Sequence, residues 1–208
     1  MKGVSLVSGG LDSTLAARLL QDEGAVQVPV FIDYGQLAAS MEWHACKSNL
    51  EILGLPAPLR LNLSDFGKVV KSGITSRSKD IVRDAFLPCR NLLFLVVGAS
   101  IAVDTGGSFV SIGFLSEDFS LFPDQSQRFL DSVERTLEVS LGKRVKVLSP
   151  LFDFSKADAI VLAKKLGIEI DKVYSCHAGG RKSCGLCISC KERAEANEIL
   201  EAIEKGGE

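Results

Sequence analysis

"MKGVSLVSGGLDSTLAARLL", residues 1–20, runs from an apolar segment through two adjacent glycines to Asp12-Ser13-Thr14 and a set of good helix formers. Val4–Val7 reads as a strand. Gly9-Gly10 stops it and frees the backbone to curl. Asp, Ser and Thr carry oxygens that satisfy the first unpaired amides of a helix, so the stretch predicts strand, glycine turn and helix N-terminus. Such a junction aims backbone N–H groups and the positive end of a helix dipole at one point, which suits an anion. No Gly-Lys-Ser/Thr follows, so this is not the Walker pattern. Gly10-Leu11-Asp12-Ser13 also lacks the third-glycine spacing of a dinucleotide fingerprint.

Working outward, apolar runs alternate with amphipathic ones. The pattern predicts strands at Val4–Val7, Val26–Ile32, Pro58–Leu63, Ser108–Phe114 and Val145–Leu148. Helices are expected over Ser13–Glu23, Ala38–Leu53, Asn91–Val103, Gln125–Leu141 and Lys156–Leu166, three of them closed by Gly24, Gly54 and Gly167. Strands spaced by helices of this length imply an α/β fold, a doubly wound parallel sheet of about five strands. Ligands in such folds gather beyond the carboxyl ends of the strands, so Ser8–Asp12, Asp33–Gln36 and Leu115–Phe119 should share one crevice. Ser64–Asp84 has no clear period and reads as a lid-like loop.

The chain has 208 residues, 46% of them hydrophobic and 24% charged, enough for one packed domain with a small appendage. A net charge of −2 gives no electrostatic case for direct nucleic-acid binding. There is no apolar run of the roughly 20 residues a membrane span needs and no basic-then-apolar leader, so a cytoplasmic location is expected. Of six cysteines, Cys46 and Cys89 stand alone as free thiols, while Cys176, Cys184, Cys187 and Cys190 crowd together in "CHAGGRKSCGLCISC". In a reducing compartment such a cluster is a metal site rather than a disulfide framework. Cys-x7-Cys-x2-Cys-x2-Cys suits four thiolates around zinc, and by spacing alone an iron–sulfur cluster also fits. His177 reads as a bystander to this set, and Trp43 and His44 as packing or surface residues.

"SGGLDS" resembles the pyrophosphate-binding loop of the N-type ATP pyrophosphatases, which cleave ATP between its α and β phosphates and adenylate a substrate. "FIDYGQ" (31–36), "FLPCRNLLFL" (86–95), "SEDFSLFPD" (116–124), "SPLFDFSKADAIVLAKKLG" (149–167) and the cysteine cluster follow in order. Together they resemble the 7-cyano-7-deazaguanine synthase family over residues 4 to about 196. The resemblance implies adenylation of the carboxylate of 7-carboxy-7-deazaguanine, attack by ammonia to give an amide, and a second ATP-driven activation to give the nitrile. It implies ATP, Mg²⁺ and one structural Zn²⁺ on the four cysteines, and a homodimer. Ser8, Gly9, Gly10, Asp12 and Ser13 would hold the pyrophosphate. Asp12, Arg90 and Lys156 would serve the reacting phosphate, and Asp118, Phe119 and Asp124 the deazapurine, with Asp124 equally readable as the N-cap of the helix at Gln125. Residues 1–170 would form the ATP pyrophosphatase domain and residues 171–208 a zinc-binding segment packed on it. The chain departs from the family's usual "PGRN" and "DFSGYPDCR" at Cys89, Leu121, Phe122, Gln125 and Ser126. A ligase using the same adenylation with another substrate or amine is therefore an alternative, and a tRNA-modifying relative a second.

Overall fold

The computed structural model describes residues 1–116, 118 and 121–206. Five strands form one all-parallel sheet in the order β3-β2-β1-β4-β5: β1 (Lys2–Leu6), β2 (Val26–Asp33), β3 (Leu59–Asn62), β4 (Phe109–Ser111) and β5 (Lys146–Leu148). Seven α-helices accompany them among the described residues: α1 (Leu11–Asp22), α2 (Ala39–Ile52), α3 (Ser64–Val69), α4 (Arg90–Asp104), α5 (Gln127–Leu141), α6 (Lys156–Lys165) and α7 (Ile188–Gly206).

Alternation along β2 assigns the faces, because successive side chains point to opposite sides of a strand. Val30 and Ile32 join Val4, Leu6 and Val110 against Leu95 and Ala99 of α4 and Leu130 and Val133 of α5. Phe31 points the other way, onto Ala17 of α1 and Cys46 and Leu50 of α2. A third cluster joins Leu11 and Leu15 of α1 to Ala159, Ile160 and Ala163 of α6. The chain leaves β1 toward β2 on one side and reaches β4 on the other. The strand order therefore reverses at β1, where the glycine turn lies.

Three expectations are corrected. Helix α1 begins at Leu11 on a Gly10 N-cap with no side-chain cap, so Asp12, Ser13 and Thr14 stand within its first turns rather than before it. Ser13 Oγ and Thr14 Oγ1 donate back to the Gly10 carbonyl instead. The helix expected at Gln125 is preceded by a 3₁₀ turn (Pro123–Gln125), and α5 is capped by Ser126, whose Oγ accepts the Phe129 amide. Asp124 is thus not a helix cap. Segment 64–84 is folded: α3 occupies its start, Ser72 and Ile74 are buried, and the Leu37 amide donates to the Ile74 carbonyl at 2.9 Å. Its turns are held by Ser72, Thr75, Asp80 and Asp84 side chains on local amides, which leaves no hydrophobic period to read.

Candidate active site

Gly9 sits at φ +85°, the left-handed region glycine enters freely, and its α-carbon lies against the start of α2. The Gly9 carbonyl accepts the Tyr174 amide at 3.0 Å and Asn49 Nδ2 at 3.4 Å. Ser13 Oγ takes the Ser8 amide at 3.0 Å and lies 3.0 Å from Ser8 Oγ, so the two hydroxyls brace the turn. Gly113, beyond β4, comes so close to Asp12 and Ser13 that a Cβ there would stand 2.9 Å from their backbone. Loop, helix start and neighbouring strand end are thereby locked together.

Above the loop opens a cleft of about 300 Å³, lined by Ser8, Gly10, Asp12 and Ser13 on one side and by Tyr34, Arg90, Phe94 and Phe122 on the other. A side chamber of about 130 Å³ continues from it between Asp12, Lys156, Tyr174 and Glu192. Arg90 opens α4 behind Cys89, whose φ of 60° turns the chain into the helix. Its guanidinium lies 5.9 Å from the ring centres of Tyr34 and Phe94, and Nε and Nη2 donate to Asn91 Oδ1 at 3.2 Å. Among the described residues no carboxylate pairs with it. Arg90 is therefore a cation on an aromatic shelf with its charge turned to the cleft.

Lys156 starts α6. Ser155 and Asp158 form a capping box that fixes this end, and Lys156 Nζ reaches both carboxylate oxygens of Asp12 at 2.8 Å. Sequence-distant residues thus meet at the glycine loop.

Three cleft residues were missed by the sequence reading. Glu42 of α2 receives Gln36 Nε2 on Oε2 at 2.8 Å, while Gln36 Oε1 accepts the Tyr34 amide. Burial pushes the Glu42 carboxyl up to about 7, with Asp33 adding to the shift and Gln36 and Arg90 opposing it. His177 lines both chambers; its Nε2 meets Ser189 Oγ at 2.9 Å, its buried Nδ1 has no partner among the described residues, and burial with Arg90 beyond lowers its pKa to about 4. Burial also raises the Glu192 carboxyl, with Lys156 opposing and Asp12 adding. The one available signal for Glu42 was its position in the first turn of the helix that follows "FIDYGQ".

Of the residues expected at the base, Phe119 lies outside the described residues. Asp118 is exposed, and neither it nor Asp124 lines the cleft. Asp124 stands one layer back: its carbonyl accepts Asn91 Nδ2 at 3.3 Å, its buried Oδ1 has no partner among the described residues, and burial raises its carboxyl. Gln125 holds the wall, its Oε1 accepting the Leu121 and Phe122 amides.

The four clustered cysteines offer sulfur atoms that all lie within 4.8 Å of one another, and Cys184 Sγ stands 3.9 Å from Cys190 Sγ. Thiolates at ~2.3 Å from one tetrahedral ion would be ~3.8 Å apart, so the set fits a single ion and leaves no room for an iron–sulfur cage. The Cys184 and Cys187 amides point at neighbouring sulfurs, at 3.3 and 3.4 Å, as thiolates require. His177 is not among the ligands. Cys46 is a buried free thiol and Cys89 an exposed one.

The sequence matches the model of the family described as Queuosine biosynthesis protein QueC over residues 2–201. The chain belongs to the QueC family. Among curated QueC relatives, the 7-cyano-7-deazaguanine synthase of Methanothermobacter thermautotrophicus is 33% identical, over 96% of this chain and 95% of its own. That of Desulforudis audaxviator is also 33% identical, over 94% and 96%. Among solved structures, a 4-thiouridine synthetase–RNA complex with bound ATP is similar to this QueC chain with a TM-score of 0.53 at 23% identity, over 95% of this chain and 50% of its own. NMN synthetase from Francisella tularensis is similar with a TM-score of 0.56 at 15% identity, over 96% and 77%. Those two likenesses show the fold alone. No helix among the described residues is long and apolar enough to cross a membrane.

Proposed function

We propose that this chain is an ATP-dependent carbon–nitrogen ligase that converts 7-carboxy-7-deazaguanine, with ammonia, through the amide to 7-cyano-7-deazaguanine. The observation that carries this reading is membership of the family across residues 2–201, with a glycine loop between two cations, Arg90 in the cleft and Lys156 in its side chamber. Ser8, Gly9, Gly10, Asp12 and Ser13 receive the pyrophosphate of ATP at the N-terminus of α1, where backbone amides and the helix dipole favour an anion. Lys156 and Arg90 flank the α-phosphate and stabilise the charge that develops as pyrophosphate leaves. Asp12 would hold Mg²⁺, which supplies further neutralisation of phosphate charge. The deazapurine stacks in the apolar part of the cleft, between Tyr34, Phe94 and Phe122. Asp124, behind Asn91, sets that residue rather than touching the base, and the assignment of Asp118 and Phe119 to the deazapurine rests on the family resemblance.

In the same reading the four cysteines hold Zn²⁺, whose role is to fold residues 171–208 as a segment packed on the ATP pyrophosphatase domain of residues 1–170. The enzyme works in the cytoplasm as a homodimer. The test is mass spectrometry of products after incubation with ATP, Mg²⁺, ammonium and 7-carboxy-7-deazaguanine. A nitrile with two AMP released per turnover is expected. A terminal amide moves the reading to a ligase of the same activation chemistry with another product, which the altered wall at Leu121, Phe122 and Gln125 would suit. No AMP with this acid overturns it.

A further inference from the structure

The carboxylates of the cleft have unequal duties. Both oxygens of Asp12 accept from the Lys156 ammonium, a counter-charge on a flexible stem. Glu192 stands in the field of that same pair. Glu42 is different. Among the described residues the one hydrogen bond to its carboxylate comes from Gln36, on Oε2, and Oε1 is left for a ligand. Gln36 is itself buried and spent on the Tyr34 amide and the Ile32 carbonyl, so Glu42 is held by a rigid support rather than by a mobile counter-charge. The residue lines the main cleft and the side chamber, at the wall between the phosphate loop and the shelf of Tyr34 and Arg90. Its backbone carbonyl lies against Gly9, so it moves with the loop.

We propose that Glu42 is a catalytic base that takes the proton from the nucleophilic nitrogen beside the activated carboxyl. The inference rests on the ligase reading above and assigns a residue to its second half. In the acyl adenylate the ammonia lone pair forms the C–N bond. The C–O bond to AMP then breaks with its electron pair on AMP, and the N–H proton shed by nitrogen passes to Glu42. In the nitrile-forming half both N–H protons leave that nitrogen. The first passes to Glu42 as the amide oxygen bonds phosphorus and pyrophosphate departs. Once Glu42 has returned it to water, the second follows as AMP leaves with the C–O pair, so one carboxylate at one place serves both steps. A carboxylate titrating near neutrality is matched to that task, since it is ionised at working pH yet basic enough to hold a proton. The groups facing it are Asp33 and Tyr34 at the end of β2, Arg90 of α4, Cys46 on its own helix and Tyr174 of the tail. Asp12, His177 and Glu192 line the same walls.

Glu42→Gln keeps an oxygen to accept Gln36 Nε2 and removes only the base. Two half-reactions are measured on the holoenzyme. Acid-dependent exchange of labelled pyrophosphate into ATP reports adenylation and depends on the ligase reading alone. Single-turnover amide formation at fixed free ammonia reports nitrogen transfer. The expected result is exchange within about threefold of wild type and amide formation slowed by about 10²–10⁴, the range of a lost general base. The wild-type rate of amide formation rises with pH to a plateau near neutrality, and the variant lacks that limb. Amide formation at the wild-type rate, or a wild-type pH limb in the variant, overturns the assignment, as does an equal loss of both half-reactions. Absence of exchange in the wild-type enzyme refutes the ligase reading instead, and the two failures are thereby told apart.

Discussion

Replacing Gly9 by alanine tests whether the phosphate loop is held by backbone packing. An added Cβ would stand 2.4 Å from the Glu42 carbonyl oxygen and 2.6 Å from the Cys46 amide, both in the backbone of α2. Neither atom belongs to a flexible side chain, so loop or helix has to shift by about 1 Å to restore contact distance. The left-handed conformation costs an alanine ~1–2 kcal/mol. Forcing the extra group into a packed junction adds ~1–3 kcal/mol. A loss of roughly 2–5 kcal/mol, at ~2–4 °C per kcal/mol for a chain of this size, lowers the melting temperature by about 10 °C. Gly10 is the internal control. It has φ −78°, and its Cβ would meet Ser8 Oγ at 3.3 Å, a side-chain contact that a shift of a few tenths of an ångström relieves. Gly10→Ala therefore stays within ~1 kcal/mol of wild type. Urea denaturation of the three proteins, with ATP binding by calorimetry, makes the comparison. A Gly9→Ala protein as stable as Gly10→Ala would refute the argument.

Lys156→Met removes one cation from the phosphate end of the cleft. Acid-dependent pyrophosphate exchange should fall about 10²–10³-fold, as for other lost electrostatic contacts to a reacting centre, while the melting temperature moves by only a few degrees. Unchanged exchange would make the Lys156–Asp12 pair structural. Withdrawing the metal with a chelator should weaken ATP binding together with thermal stability, because the cysteine-bearing tail donates to the Gly9 carbonyl through Tyr174. Iron in an elemental analysis would overturn the zinc assignment. The Glu42 carboxyl, raised from 4.5 to about 7 by burial, binds more proton in the folded than in the unfolded chain between those values. Its contribution to stability thus falls as pH rises from 4.5 to 7, and Glu42→Gln should gain stability relative to wild type across that window. Equilibrium unfolding of both proteins at several pH values measures the difference, and a constant gap would contradict it.

The sheet and the glycine turn after β1 were legible because their signals are local. Apolar runs, glycine pairs and terminal glycines mark strands, turns and helix ends within a few residues of the feature itself. The four cysteines were legible for the same reason. Asp12 and Lys156 were each singled out, yet their pairing across 144 positions is a product of topology that no spacing encodes. Glu42 was missed because an acid in the first turn of a helix looks solvated until the burial of its neighbours is known. Segment 64–84 failed differently, since side chains bonded to local amides leave no periodic trace. At Asp124 two cap-like residues compete, and Ser126 holds the cap because α5 begins two residues later than its hydrophobic pattern suggests.

The contact between the Tyr174 amide and the Gly9 carbonyl has a consequence for the order of events at the ribosome. Residue 9 leaves the exit tunnel early and residue 174 late, and domains begin to fold from their first-made parts. The central strand β1 must wait for β4 to pair on its second edge, and the loop it carries waits longer still, until the tail arrives. A growing chain therefore displays its glycine loop without the wall formed by Tyr174, His177 and Glu192. Competence for ATP comes as nearly the last act of synthesis, and fragments that stop short of the cysteines have no finished cleft in which to waste it.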